Sequence, residues 1–215
     1  MKRIIDIDTW ERKDNYLFFS TFLNPTFSIT SEVECGGAKL RAKENQQSFF
    51  LHYLYAVLRA ANEIKEFRYR IENNHVVLYD RVDMLTPIRV NEEGRFVEVL
   101  IPYIADFENF HREARRIITS IPKDATAYGF VNEKQNSEEI NNGFILLSAL
   151  PDLYFTSITA TQQFRHGGNF PLINAGKAVI REGRLVMPIG MTLHHGFVDG
   201  FHITQFYKKI EMLLR

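Results

Sequence analysis

Apolar and polar positions alternate over residues 26–35, where Phe27, Ile29 and Val33 oppose Ser28, Thr30, Glu32 and Glu34. A period of two predicts a half-buried strand. From Ser48 the period lengthens. Phe50, Leu54, Val57, Leu58 and Ala61 fall on one face of a helix running to about Asn62, with Ser48 as its cap. Nearer the start, Asp8 or Thr9 can cap a helix to about Phe19, with Trp10, Tyr16 and Leu17 available for burial. Residues 67–71 and 75–79 flank Glu-Asn-Asn, a hairpin signal. Residues 96–101 read as a strand and residues 106–121 as a helix that stops at Pro122. Further strands are expected at 144–150, 155–162, 178–181 and 185–193, the last two joined by Glu182-Gly183, and a final helix at 201–214.

Strands and helices are mixed with no regular strand–helix–strand repeat, no GxGxxG and no GxxxxGK[ST]. The expected class is therefore α/β of the α+β kind: a mixed sheet with flanking helices in one domain spanning residues 1–215. The 215 residues carry 26 basic and 26 acidic side chains, a balance unlike that of a nucleic-acid binder or a polybasic membrane anchor. The 13% aromatic content, with 18 Phe, speaks against disorder. A single cysteine, Cys35, excludes an internal disulfide framework. The N-terminus turns polar after two apolar residues, and the uncharged stretches 48–58 and 141–150 are too short to span a bilayer. A soluble cytoplasmic protein is expected.

The sharpest local feature is Met187 to His202, in which an apolar strand delivers His194 and His195 to its end and Asp199-Gly200 follows in a turn. Neighbouring residues of a strand point to opposite faces, so only one of the two histidines can enter a given cleft. Three readings compete. A histidine can act as general base, since its ordinary pKa lies near neutrality. Histidines and Asp199 can hold a metal, although the HExxH spacing is absent. Or His194 is a buried, hydrogen-bonded histidine and Asp199 only caps the last helix.

The segment HHGFVDGFH resembles the active-site motif of the chloramphenicol acetyltransferase family, within the wider group of CoA-dependent acyltransferases that share HxxxDG. The resemblance runs along nearly the whole chain. Trp10-Glu-Arg12-Lys is similar to the family's W-x-R-K/R; Phe67-Arg68 and residues 78–82 to its EFRMAI and VIWDSV stretches; residues 147–151 to S-A-x-P-W; Phe155-Thr156-Ser157 to F-T/D-S; and residues 170–177 to F-A-P-x-x-T-M-G/A-K.

The resemblance implies that the second histidine, His195, is the catalytic base, removing a proton from an acceptor hydroxyl that attacks the thioester of acetyl-CoA. It implies that Ser148 donates to the tetrahedral oxyanion, where such a donor is worth about 10²–10³ in rate. Asp199 is expected to pair with Arg12, not with His195, and so to fix the loop that aims the imidazole. Lys177 falls near the 3′-phosphate of CoA, and Asn174 falls near the reacting centre where the family usually has threonine. Phe18, Phe19, Phe27 and Phe96 fall where the family lines its acceptor pocket. Ser48, Glu98 and Ala160 stand where a lysine, a small residue and a leucine are usual. No metal and no permanently bound cofactor are implied; acetyl-CoA is the co-substrate. A homotrimer is implied, with His195 from one subunit and much of the acceptor pocket from its neighbour. The function implied is chloramphenicol O-acetylation and hence antibiotic resistance. The alternatives are an acyltransferase of the same fold acting on another small hydroxyl or amine compound, and a non-catalytic ligand-binding relative.

Overall fold

The structure, a computed structural model, describes residues 1–122, 124–128, 142–161 and 170–215. In chain order the elements are β1 (Lys2–Ile4), a 3₁₀ turn (Ile7–Thr9), α1 (Lys13–Ser20), β2 (Thr26–Glu34), α2 (Gly36–Glu44) and α3 (Phe49–Glu63). A second 3₁₀ turn (Lys65–Arg68) leads to β3 (Tyr69–Glu72), β4 (His75–Tyr79), β5 (Asp83–Arg89), β6 (Phe96–Ile101) and α4 (Phe107–Thr119). The chain closes with β7 (Phe144–Ala149), β8 (Leu172–Ala175), β9 (Val179–Arg181), β10 (Arg184–His194) and α5 (Gly200–Leu214).

The larger sheet runs β2-β10-β8-β7-β5-β6, with β9 paired to β10. β7 is parallel to both β5 and β8, and the remaining pairs are antiparallel. A smaller antiparallel sheet runs β1-β4-β3. This is the mixed sheet with flanking helices that the sequence predicts.

Two faces of the larger sheet differ in character. On one, Met187, Ile189, Met191 and Leu193 of β10 join Leu147, Ile145 and Ile173 in a core with Leu54, Val57 and Leu58 of α3 and Phe206 and Ile210 of α5. On the other, register sets Ser148 beside Asn174, Asn174 beside Gly190 and Gly190 beside Thr30. Paired residues share a face and successive residues alternate, so these polar and small residues all lie opposite the helices. Arg70, fully buried, ties the smaller sheet to the larger by donating to the carbonyls of Phe67, Tyr69, Asn142 and Phe144 at 2.6–2.9 Å.

Several elements differ from the sequence reading. The first helix is split: the side chain of Asp6, not Asp8 or Thr9, caps the 3₁₀ turn, and Trp10 then takes an extended conformation and is buried before α1 begins. Leu17 remains exposed. Ser48 occupies the N-cap of α3 but makes no side-chain cap bond. β3 starts at Tyr69 because Phe67 belongs to the preceding 3₁₀ turn. The hairpin turn is as expected, with Asn73 and Asn74 at φ 49° and 63°. Residues 155–161 form no strand, and Gln162 lies outside the described residues. That stretch instead crosses the sheet: a Cβ on Gly190 would fall 2.3 Å from Ile158 Cγ2, and one on Gly176 2.7 Å from Phe155 Cε1. Glycine at those two positions lets the crossing chain approach the strands. β1, α2, β5 and β8 were not expected.

Candidate active site

Nine register pairs zip β10 onto β2 up to His194↔Thr26, and the backbone N–H of His195 then donates to Pro25 O at 2.8 Å. His195 is thus fixed at the strand end. Its ring stacks on Phe19 of α1 with centroids 4.1 Å apart and an interplanar angle of 11°, and lies 4.4 Å from the Phe27 ring of β2. Its Nδ1 is 3.1 Å from Val198 O. A carbonyl only accepts, so the proton sits on Nδ1 and Nε2 carries the free lone pair. Phe18 is 60% exposed and meets Phe19 edge-on at 5.2 Å.

His194 differs in every respect. It is buried, stacks on Phe197 at 4.6 Å, and its Nδ1 accepts from Gly196 N at 3.1 Å. Burial, helped by the charge of His195, pushes its pKa down to about 4. It is a neutral, packed imidazole.

Asp199 turns away from His195. Its Oδ2 meets Arg12 Nη1 at 3.0 Å, and Arg12 Nε donates to Gly196 O at 3.3 Å. The guanidinium therefore grips both ends of the 196–199 turn that aims His195. The contact is single rather than forked, since the buried Nη2 has no hydrogen-bond partner among the described residues. Arg12, 8% exposed, stands at the N-cap of α1 and not inside the helix. Asp199 also caps α5 through Phe201 N at 3.0 Å and lies 2.8 Å from His202 Nδ1. Burial works to raise its pKa, but the Arg12 hydrogen bond, the charges of His202 and Arg12 and the Phe201 N–H together hold it below the ordinary value. One carboxylate makes both the Arg12 pair and the helix cap, so Asp199 does more than cap the last helix. His202 and its contact with Glu66 at 3.5 Å were not anticipated; the HH…DGFH string holds that histidine, but nothing in it shows the partner.

Ser148 and Asn174 lie elsewhere. Their row crosses β10 at Gly190, five residues before His195. At about 3.3 Å per residue and 4.8 Å per strand, Ser148 stands roughly 20 Å from His195 in the same chain. Alternation also puts it on the opposite face, since Ser148 aligns with Gly190 and His195 falls in the odd-numbered series of Leu193 and Phe27. Phe96, on β6, packs edge-on with Tyr128 and belongs to the Ser148 region. Lys177 is exposed in the β8–β9 turn, its backbone N–H held by Leu153 O at 2.8 Å. Among the described residues no cluster of three His, Cys, Asp or Glu could hold a metal, and no helix is long and apolar enough to cross a membrane.

A model of the chloramphenicol acetyltransferase family matches residues 2–211. The chain belongs to that family. A chloramphenicol acetyltransferase of Proteus mirabilis is 24% identical over 97% of this chain and 92% of its own. A solved structure named chloramphenicol acetyltransferase superposes with a TM-score of 0.96 at 62% identity over the full length of both chains. The dihydrolipoamide acetyltransferase of Azotobacter vinelandii shares the fold, with a TM-score of 0.60 at 14% identity over 94% of this chain and 85% of its own. Membership in the chloramphenicol acetyltransferase family makes the protein an acyltransferase with acetyl-CoA as co-substrate.

Proposed function

We propose that the protein transfers the acetyl group of acetyl-CoA to a hydroxyl of chloramphenicol or a similar small acceptor, in a site that His195 and Ser148 complete from two different subunits. The observation that carries this reading is the engagement of His195 Nδ1 by Val198 O, which leaves Nε2 as a fixed proton acceptor at the strand end. The acceptor O–H gives its proton to Nε2 as its oxygen attacks the thioester carbonyl. The Ser148 hydroxyl donates to the oxyanion of the tetrahedral intermediate. When that intermediate collapses, the C–S bond breaks and the CoA thiolate takes the proton back from the imidazolium. Lys177 and Asn174 serve the CoA side, Lys177 as a point charge for a phosphate. Phe18, Phe19 and Phe27 wall the acceptor beside His195, and Phe96 walls it from the neighbouring subunit. Since acetyl-CoA is supplied inside the cell, the reaction belongs in the cytoplasm, where acetylation of the antibiotic would protect the host.

Assembly as a homotrimer is part of this reading. The roughly 20 Å between His195 and Ser148 in one chain is too long for two groups acting on one carbonyl. Exposed apolar residues beside His195, with Leu23 98% exposed and Phe18 and Phe22 near it, suit a surface covered by another copy. Hybrid assembly tests this directly. His195→Ala and Ser148→Ala chains, each retaining about 1% of wild-type activity or less alone, are co-refolded. In a head-to-tail ring about a quarter of the sites pair an intact His195 with an intact Ser148, so about a quarter of wild-type activity is expected. A mixture no more active than its parents would place both groups in one chain's site and refute the shared site.

A further inference from the structure

The half-site that carries Ser148 also holds an acid with one oxygen unpartnered among the described residues. Glu98 of β6 is registered to Pro87 of β5, and β5 runs beside β7 with Leu85↔Leu146. The strands still lie side by side one residue on, where Thr86 Oγ1 donates to Leu147 O at 2.8 Å. The next row therefore reads Glu98, Pro87, Ser148, Asn174, Gly190, all on the face opposite the helices. Glu98 stands two strands from Ser148, about 10 Å away.

Its Oε2 is buried and has no hydrogen-bond partner among the described residues. Burial alone pushes its carboxyl above the ordinary range, with no cation among the described residues to oppose it. The other buried acids are served: Glu72 receives Lys2 Nζ at 2.8 Å and Tyr79 Oη at 2.5 Å, and Glu66 meets His202 at 3.5 Å. A buried carboxylate without a partner costs stability. In a half-buried row shared with a reacting group, the missing partner is most simply a ligand.

We propose that Glu98 is a specificity-determining residue, and that the acceptor it favours carries a protonated nitrogen on the order of 10 Å from the hydroxyl to be acetylated. This rests on the proposed role of Ser148. The Glu98 oxygen that has no partner among the described residues would accept a charge-assisted hydrogen bond from the ammonium group, removing the cost of its burial.

The test compares chloramphenicol with its derivative in which the aryl nitro group is replaced by aminomethyl, a cation at neutral pH. Acetyl transfer and calorimetric binding without acetyl-CoA are both measured, for the wild type, Glu98→Gln and Glu98→Ala. The wild type is expected to favour the aminomethyl compound by about 10- to 100-fold in kcat/KM and in affinity. Both variants are expected to lose that preference, while Glu98→Gln keeps kcat on chloramphenicol and does not lower Tm. A preference unchanged by either variant, or a Glu98→Gln chain that unfolds at lower temperature with the ratio intact, overturns the proposal by making Glu98 structural. Absence of binding by both compounds overturns it too. Glu98-dependent binding without acetyl transfer to either compound would uphold the specificity role and sink the proposed reaction instead.

Discussion

The His195 region and the Ser148 region are built on one sheet by opposite means. Around His195 the side chains are held by rings and charge. Phe19 and Phe27 flank the imidazole, and Arg12 grips Gly196 O and Asp199. Around Ser148 the described residues supply no such frame, only a row of strand residues whose positions are set by backbone register. A general base must point one nitrogen along one direction, which requires fixing a ring. An oxyanion donor needs only a hydroxyl at the right place, which a strand supplies. Aiming is a side-chain problem in one region and a backbone problem in the other.

Removing the reacting groups should produce the largest effects. His195→Ala is expected to lower kcat by about 10²–10⁴-fold, and Ser148→Ala by about 10²-fold with KM little changed. Both chains should keep the wild-type circular dichroism, since neither side chain holds the fold. A Ser148→Ala enzyme altered only in KM would make that hydroxyl a ground-state contact and erase the contrast.

The frame around His195 should give an intermediate effect. Asn caps helices as well as Asp does, so Asp199→Asn isolates the Arg12 pair from the cap on α5. Denaturant unfolding should show a loss of about 2 kcal/mol, with kcat reduced as well. Arg12→Lys should not restore activity, because one ammonium cannot serve both Gly196 O and Asp199 with the guanidinium's geometry. Equivalent substitutions at Asn174 or Thr30, which belong to the other region, should leave the pH–rate profile unmoved.

The smallest effect separates the two neighbouring histidines. His194 and His52 are each held by burial at a pKa of about 4, and His111 is lowered in the same way. Between about pH 6.5 and 4 the unfolded chain binds protons that the native chain does not. Their contribution is therefore complete above about pH 6.5 and is lost as pH falls toward 4. His194→Gln should flatten the fall in Tm between pH 6.5 and 4 without changing the pH dependence of kcat. A shift in the kcat profile would make His194 the titrating base.

Regular periodicity made β2, β6, β10, α3, α4 and α5 legible, with ends displaced by only a residue or two. β5 was hidden by Pro87, tolerated because the paired ladder with β7 ends at Leu85↔Leu146, short of the missing N–H. β8 is four buried residues with no alternation to read, and α2 buries only Ala38 and Ala42. Residues 155–161 look like a strand because Phe155 and Ile158 must be apolar to cover Gly176 and Gly190, a demand that packing makes as readily as pairing does. In the site, the identity of the groups was legible through motif likeness. Their separation to opposite faces was not, because it depends on which strands lie between them. The unpartnered oxygen of Glu98 was equally invisible, since sequence does not say what faces a side chain.

The pairing of β2 has a consequence for synthesis. β2 hydrogen-bonds to β10 and to no other strand among the described residues, yet about 150 residues separate Glu34 from Arg184. At a ribosomal rate of about 5–20 residues per second, β2 waits some 10–30 s with an open edge. During that interval it is a template for mispairing with other nascent chains. Ser28, Thr30, Glu32 and Glu34 along one side, two of them charged, are the kind of residues that discourage such pairing. The strand that later supports the catalytic histidine thus carries its own protection against aggregation for as long as that histidine has yet to be made.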